Sequence, residues 1–198
     1  MISEDPKFIF VGPQKTGSTS VVKSLLPYCE IVRKIEQRKE NFDVKFVIGA
    51  DGVLGDKHTP LARYFKEFKK SNLDIESYFK IATVRNPFSR LVSYYNWKSK
   101  IHSKFNFDEI QHWGRIKPLV KYISYEDKVR TDFLIKTENL TEDFERLCNV
   151  LKISTEPIDH INKTQEVDYT KYYNNKTRKY VEETYSDDLE ILGYKFGD

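Results

Sequence analysis

The sequence predicts an α/β fold, a P-loop-containing three-layer sandwich with a central, mainly parallel β-sheet flanked by helices. Three observations predict it. Short apolar, β-rich runs alternate with amphipathic helical runs, as in a parallel sheet with crossover helices. The run KFIFV passes through a glycine-rich loop straight into a helical segment. A second strand-to-helix junction comes later, where KIATV leads into RNPFSRLVSYY. The chain has 198 residues, no repeat and no Pro/Gly-rich linker, so one domain over 1–198 is expected.

Each element has its own justification. Residues 7–11 form a short apolar run that reads as a buried strand. From Ser18 to about Leu26, Val21, Val22, Leu25 and Leu26 share one helical face, and Pro27 stops the helix. Residues 31–35 and 44–48 are strand candidates. Leu61–Lys70 is amphipathic at helical period. Residues 80–84 are a second buried strand. Asn86 and Pro87 then form a favoured N-cap and first-turn pair, and Phe88, Leu91, Val92 and Tyr95 give the helix its core stripe. Residues 133–135 read as a strand. Thr141–Leu151 reads as a helix with Glu142 and Asp143 in its first turn. Residues 155–170 look irregular, 175–192 helical with a break near Asp187, and 101–130 have no clear period.

Composition sets the outer limits. With 39% hydrophobic and 32% charged residues, the chain belongs with globular rather than disordered proteins. Residues 1–100 hold 18 Lys and Arg against 11 Asp and Glu, and residues 101–198 hold 15 against 19. A basic first half suits an anionic ligand, but the excess is too small for a nucleic-acid partner. Two cysteines, Cys29 and Cys148, exclude a disulfide scaffold. No apolar run approaches the length of a membrane span, so no stable membrane insertion is expected. The segment MISEDPKFIFVG carries acids where a signal peptide carries bases, which points to the cytoplasm. A catalytic fragment of an anchored protein is the other origin this composition allows. There is no HExxH, CxxC or Cys/His cluster, so no metal is expected.

The strongest local signal is GPQKTGST. Gly12 and Gly17 have the spacing of a nucleotide-binding P-loop, with a strand before and a helix after. Such a loop turns backbone N–H groups inward on an anion, and the helix N-terminus adds partial positive charge. Yet Ser18 stands where the phosphate lysine belongs. The loop's lysine is Lys15, in its crown, where it can reach the bridging oxygen of a leaving group. A kinase or NTPase with a degenerate Walker A loop is one reading, helped by Asp51 after an apolar run. A non-catalytic anion binder is another.

The loop GPQKTGSTS resembles the 5′-phosphosulfate loop of sulfotransferases that use 3′-phosphoadenosine 5′-phosphosulfate (PAPS). In that family, an Arg closing a later strand and a Ser on the next helix bind the donor's 3′-phosphate; here these are Arg85 and Ser93. The segments KHTPLARYFKEF, TENLTEDFERLC, HINKT and YNNKTRKYVEETYSDDLEILGYKF are similar to carbohydrate-type sulfotransferases in their small bacterial-like form. The resemblance covers nearly the whole chain, least at 101–130. It implies the P-loop sandwich, PAPS as donor, the product 3′,5′-adenosine bisphosphate, no required metal, and a hydroxyl-bearing acceptor that is a carbohydrate. Larger family members are anchored in the Golgi, so a lumenal location applies if the chain is a fragment.

Individual residues then take expected roles. Lys15 is expected to stabilise charge on the leaving oxygen, and the amides of Thr16, Gly17, Ser18 and Thr19 to cradle the 5′-phosphate behind Gly12. His58 is the candidate base, since histidine titrates near neutrality; it is otherwise a loop histidine contacting the following helix. Asp51, Asp56 and His160 are reserve bases. By the resemblance, Lys163 lies in a late loop over the donor; otherwise it is a solvated lysine. Trp97 shares a helical face with Ser93 and is expected to border the cleft. Trp113 and Arg115 are candidate sugar contacts. Glu138 and Asn139 read as helix-start residues, and Tyr180, Val181 and Tyr185 as core.

Overall fold

A computed structural model describes residues 1–29, 32–38, 41–48, 53–102, 104–113, 116–154, 158 and 168–198. The first half contains β1 (Ile2–Glu4), β2 (Lys7–Val11), α1 (Ser18–Leu25), β3 (Val32–Arg38), β4 (Asn41–Ile48), β5 (Val53–Asp56), α2 (Leu61–Lys70), β6 (Phe79–Val84) and α3 (Pro87–Ser99). The second contains α4 (Val120–Ile123), β7 (Ser124–Tyr125), β8 (Lys128–Val129), β9 (Phe133–Lys136), α5 (Leu140–Leu151), α6 (Asn175–Thr184) and α7 (Ser186–Leu192). The chain forms two compact units. One is Met1–Val84 with Tyr122–Ile161, and the other is Arg85–Lys121 with Asn162–Asp198.

The first unit holds the central sheet, in the order β1-β2-β6-β9. Strand β2 pairs parallel with β6 from Phe8↔Phe79 to Val11↔Ala82, and β6 with β9 from Ile81↔Phe133 to Val84↔Lys136. Only the edge strand β1 is antiparallel, to β2. The fold is therefore mixed α/β with a mostly parallel central sheet flanked by helices. Phe8, Phe10, Ile81 and Ile135 pack with Val21, Val22 and Leu25 of α1 and with Leu140, Phe144 and Leu147 of α5. Ile9, Val11, Ala82 and Val84 alternate with them along the strands and are also buried, so both faces of the sheet are covered. Helix α2 buries Leu61, Tyr64, Phe65 and Phe68, one stripe at helical period.

Two features of this unit are not legible in the sequence. The strand candidates near 31–35 and 44–48 are not added to the parallel sheet. Strands β3, β4 and β5 form a separate antiparallel sheet in that order. Part of the patternless stretch 101–130 becomes α4 and the strand β7, which pairs with β8 through a turn at Glu126 and Asp127, both at positive φ. Both cysteines are free thiols.

The second unit is built on aromatics. Phe88, Leu91, Val92 and Tyr94 of α3 pack with Phe107, Ile110, Trp113, Ile116, Val181 and Tyr185. Asn86 caps α3 by accepting from the Phe88 amide at 2.9 Å, with Pro87 in the first turn. Helices α6 and α7 meet at Tyr185, close to the break expected near Asp187. Asp188 is fully buried, and its carboxylate accepts from the amides of Leu119 at 2.6 Å and Val120 at 2.8 Å. Buried Arg90 donates to the Lys117 carbonyl at 2.8 Å.

Candidate active site

The glycine-rich loop leaves the C-terminal end of β2 and enters α1, in the first unit. Gly12 is obligatory there, because an added Cβ would lie 2.6 Å from the Ser18 Cβ and 3.2 Å from the Lys57 carbonyl. Lys15 and Gly17 both have left-handed backbones, at φ 65° and 69°, so the loop curls at its crown and again at the helix start. Buried Thr16 pins it from within: its Oγ1 donates to the Pro13 carbonyl at 2.7 Å and lies 2.6 Å from the Thr83 hydroxyl of β6. Helix α1 has Gly17 at its N-cap, with no side-chain cap bond and no acid in its first turn. Its leading amides and positive dipole end are therefore what it presents to an anion.

A second segment closes on this loop. Gly12 N–H donates to the Lys57 carbonyl at 2.7 Å, and the His58 ring Nδ1 lies 2.5 Å from the Gly12 carbonyl. A carbonyl only accepts, so Nδ1 carries the proton and the neutral ring has its lone pair on Nε2. Asp56 Oδ1 accepts from the His58 amide at 2.8 Å, so this reserve base shapes the turn that carries the histidine. Lys57 is 7% exposed, and its ammonium donates to Thr19 Oγ1 at 3.2 Å. Gly12, Thr16, Ser18, Thr19 and His58 are thus drawn together around one loop. Lys57 and Thr83 join them, and sequence reasoning missed both. A lysine between Asp56 and His58 reads as solvated until the fold closes over it.

Arg85 and Ser93 lie in the second unit, at the start of α3 and along it. Arg85 Nε donates to the Ser89 hydroxyl at 3.0 Å, which orients the guanidinium plane. Ser89 donates in turn to the Asn86 carbonyl at 3.2 Å. Ser89 was also missed, although its i+4 spacing from Arg85 and from Ser93 marks one helical face. Trp97, at 37% exposure, lies against Tyr94 with ring centroids 5.7 Å apart. Trp113 is not a surface platform for a sugar. It is buried, stacks on Phe105 at 4.6 Å, and its indole N–H donates to the Asn106 carbonyl. Aromatic neighbours within a few residues draw it into the core. Lys163, Asp51, Arg115 and His160 lie outside the described residues.

A family model described as "Sulfotransferase family" matches residues 1–106, more than half of the chain. The chain belongs to the sulfotransferase family. The match takes in the glycine-rich loop, the Lys57–His58 turn, Arg85 and Ser93. The protein is thus a transferase of sulfuryl groups, a class that acts on hydroxyl-bearing acceptors and in general uses PAPS. Comparison with curated proteins gives no match, nor does comparison with solved structures. Among the described residues, no group of three or more His, Cys, Asp or Glu could hold a metal ion, and no helix is long and apolar enough to cross a membrane.

Proposed function

We propose that this sulfotransferase moves the sulfuryl group of PAPS to a hydroxyl of a carbohydrate, with the chain 1–198 acting as one sulfotransferase domain. The observation that carries the reading is the bond from the His58 ring to Gly12. It fastens a candidate base to the loop that would hold the donor's 5′-phosphate, with its lone pair on Nε2. The acceptor oxygen attacks sulfur while Nε2 takes the hydroxyl proton. The bond from sulfur to the 5′-phosphate oxygen breaks, and its electron pair leaves on 3′,5′-adenosine bisphosphate. Lys15, in the crown of the loop, stabilises the charge that appears on that oxygen.

The amides of Thr16, Gly17, Ser18 and Thr19 hold the 5′-phosphate behind Gly12. Arg85 and Ser93 take the 3′-phosphate, and Lys163 is assigned to the donor by its family-like loop. The guanidinium fork suits a phosphate, and the Ser89 bond supports its orientation. Two free thiols fit a reducing, cytoplasmic compartment. Calorimetry tests the donor: 3′,5′-adenosine bisphosphate should bind tightly and ADP much more weakly, since ADP carries no 3′-phosphate. Equal affinities would overturn the two-phosphate reading. Labelled PAPS offered to a panel of sugars and small alcohols tests the acceptor; transfer to the alcohols alone would remove the carbohydrate.

A further inference from the structure

We propose that Lys57 is a positioning residue for the donor's 5′-phosphate, acting through the Thr19 hydroxyl; this rests on the donor reading above. The loop carries Ser18 where a nucleotide-binding P-loop carries its lysine. Lys57, 38 residues along from Thr19, brings an ammonium to the same helix start. Its main chain is fixed there, because its carbonyl accepts from the Gly12 amide and the next residue's ring is bonded to Gly12 O. Its side chain is buried. An ammonium is withdrawn from water only at a cost that hydrogen bonds and opposite charge must offset. A phosphate seated in the loop adds negative charge beside it.

The direction of the bond gives the mechanism. An ammonium has donors only, so in the Lys57–Thr19 contact the threonine oxygen accepts. A hydroxyl has a single proton, and this contact leaves it to be donated to another acceptor. Thr19 is half-buried, two residues past Gly17 in the first turn of α1. Lys57 therefore selects the rotor state in which Thr19 donates its proton to a phosphate oxygen. The charge missing from position 18 returns from a different segment and is relayed through a hydroxyl.

The test is calorimetry with 3′,5′-adenosine bisphosphate and with adenosine 3′-monophosphate, which has no 5′-phosphate, alongside thermal melting of each variant. Lys57→Met and Thr19→Val should each weaken the bisphosphate on the order of 10–100-fold, as for loss of a charge-assisted bond. Both should leave the 3′-monophosphate unchanged. The double variant should lose no more than either single one, and Thr19→Ser should restore wild-type affinity. Unchanged bisphosphate binding in Lys57→Met, equal losses for the two nucleotides, or additive losses would overturn the proposal. Should Lys57→Met not fold, Thr19→Val binding like wild type overturns it alone. A wild-type protein that binds no bisphosphate would overturn the donor reading together with this inference. Intact wild-type binding with unaffected variants overturns only the inference.

Discussion

Lys15 and His58 act, in the proposed reaction, on charges that change at different atoms, and this separates their variants. Lys15→Ala should lower kcat far more than donor affinity, because its charge is matched to the leaving oxygen and the loop amides already hold the ground-state phosphate. His58→Ala should lower turnover by ~10²–10⁴-fold and abolish the acid limb of the wild-type pH–rate profile, since a protonated Nε2 cannot accept the acceptor's proton. A variant that keeps both its rate and its acid limb assigns the base elsewhere. Gly12→Ala should cost about 1–3 kcal/mol in urea unfolding and abolish donor binding. The new methyl would collide with Ser18 and the Lys57 carbonyl, and wild-type stability would show that the loop can give way. At this scale the tight turn at Gly12 and Gly17 was legible from their spacing, and the structure curls the chain there. Lys57 was not, because its bonds to Gly12 and Thr19 lie 45 and 38 residues away, where no local pattern records them.

Among the elements, those with a strong apolar period were legible almost to the residue. Helix α2 occupies the expected Leu61–Lys70, and α3 starts at the Asn86–Pro87 signal. Pairing was not legible. Residues 44–48 read as a strand, but the pattern does not say whether the partner is a distant parallel strand or the preceding segment, and the chain takes the latter in β3–β4, with β4 starting three residues earlier at Asn41. The 101–130 stretch lacked a period because its aromatics pack as a cluster, with Phe105, Phe107 and Trp113 around Tyr95. The α3 cap is open to direct measurement. Asn86→Ala should destabilise by about 1–2 kcal/mol in thermal or urea unfolding. It should also weaken 3′,5′-adenosine bisphosphate binding, since Arg85 precedes the lost cap. Unchanged nucleotide affinity would separate the cap from the site.

Over the whole chain, the family match ends at residue 106, after the glycine-rich loop, Arg85 and Ser93. Residues beyond that point supply Phe107, Ile110, Trp113, Val181 and Tyr185 to the core of the second unit, which also buries Asp188. Burial raises the Asp188 carboxyl above its ordinary range, against the lowering effect of the Leu119 and Val120 amides and the Arg90 charge. The folded protein therefore binds this proton more tightly than the unfolded chain. The stability contributed by Asp188 is full below the ordinary Asp range and falls as pH rises through the raised value. Asp188→Asn places an amide donor against a backbone donor and should cost about 2–3 kcal/mol. Urea unfolding from pH 4 to 7 should show the wild-type advantage narrowing as pH rises; a constant gap would assign no titration to Asp188. The tail of the chain bears on the same unit. The Asn86 amide donates to the Lys195 carbonyl at 2.8 Å, and the Phe196 ring meets Phe88 at 4.9 Å. A peptide stretch more than a hundred residues downstream thus pegs the cap beside Arg85, and damage to it should be felt at the nucleotide. A variant that lacks residues 195–198 should loosen the grip on 3′,5′-adenosine bisphosphate while sparing binding of inorganic phosphate, and a variant that holds both as before would show the peg to be ornamental.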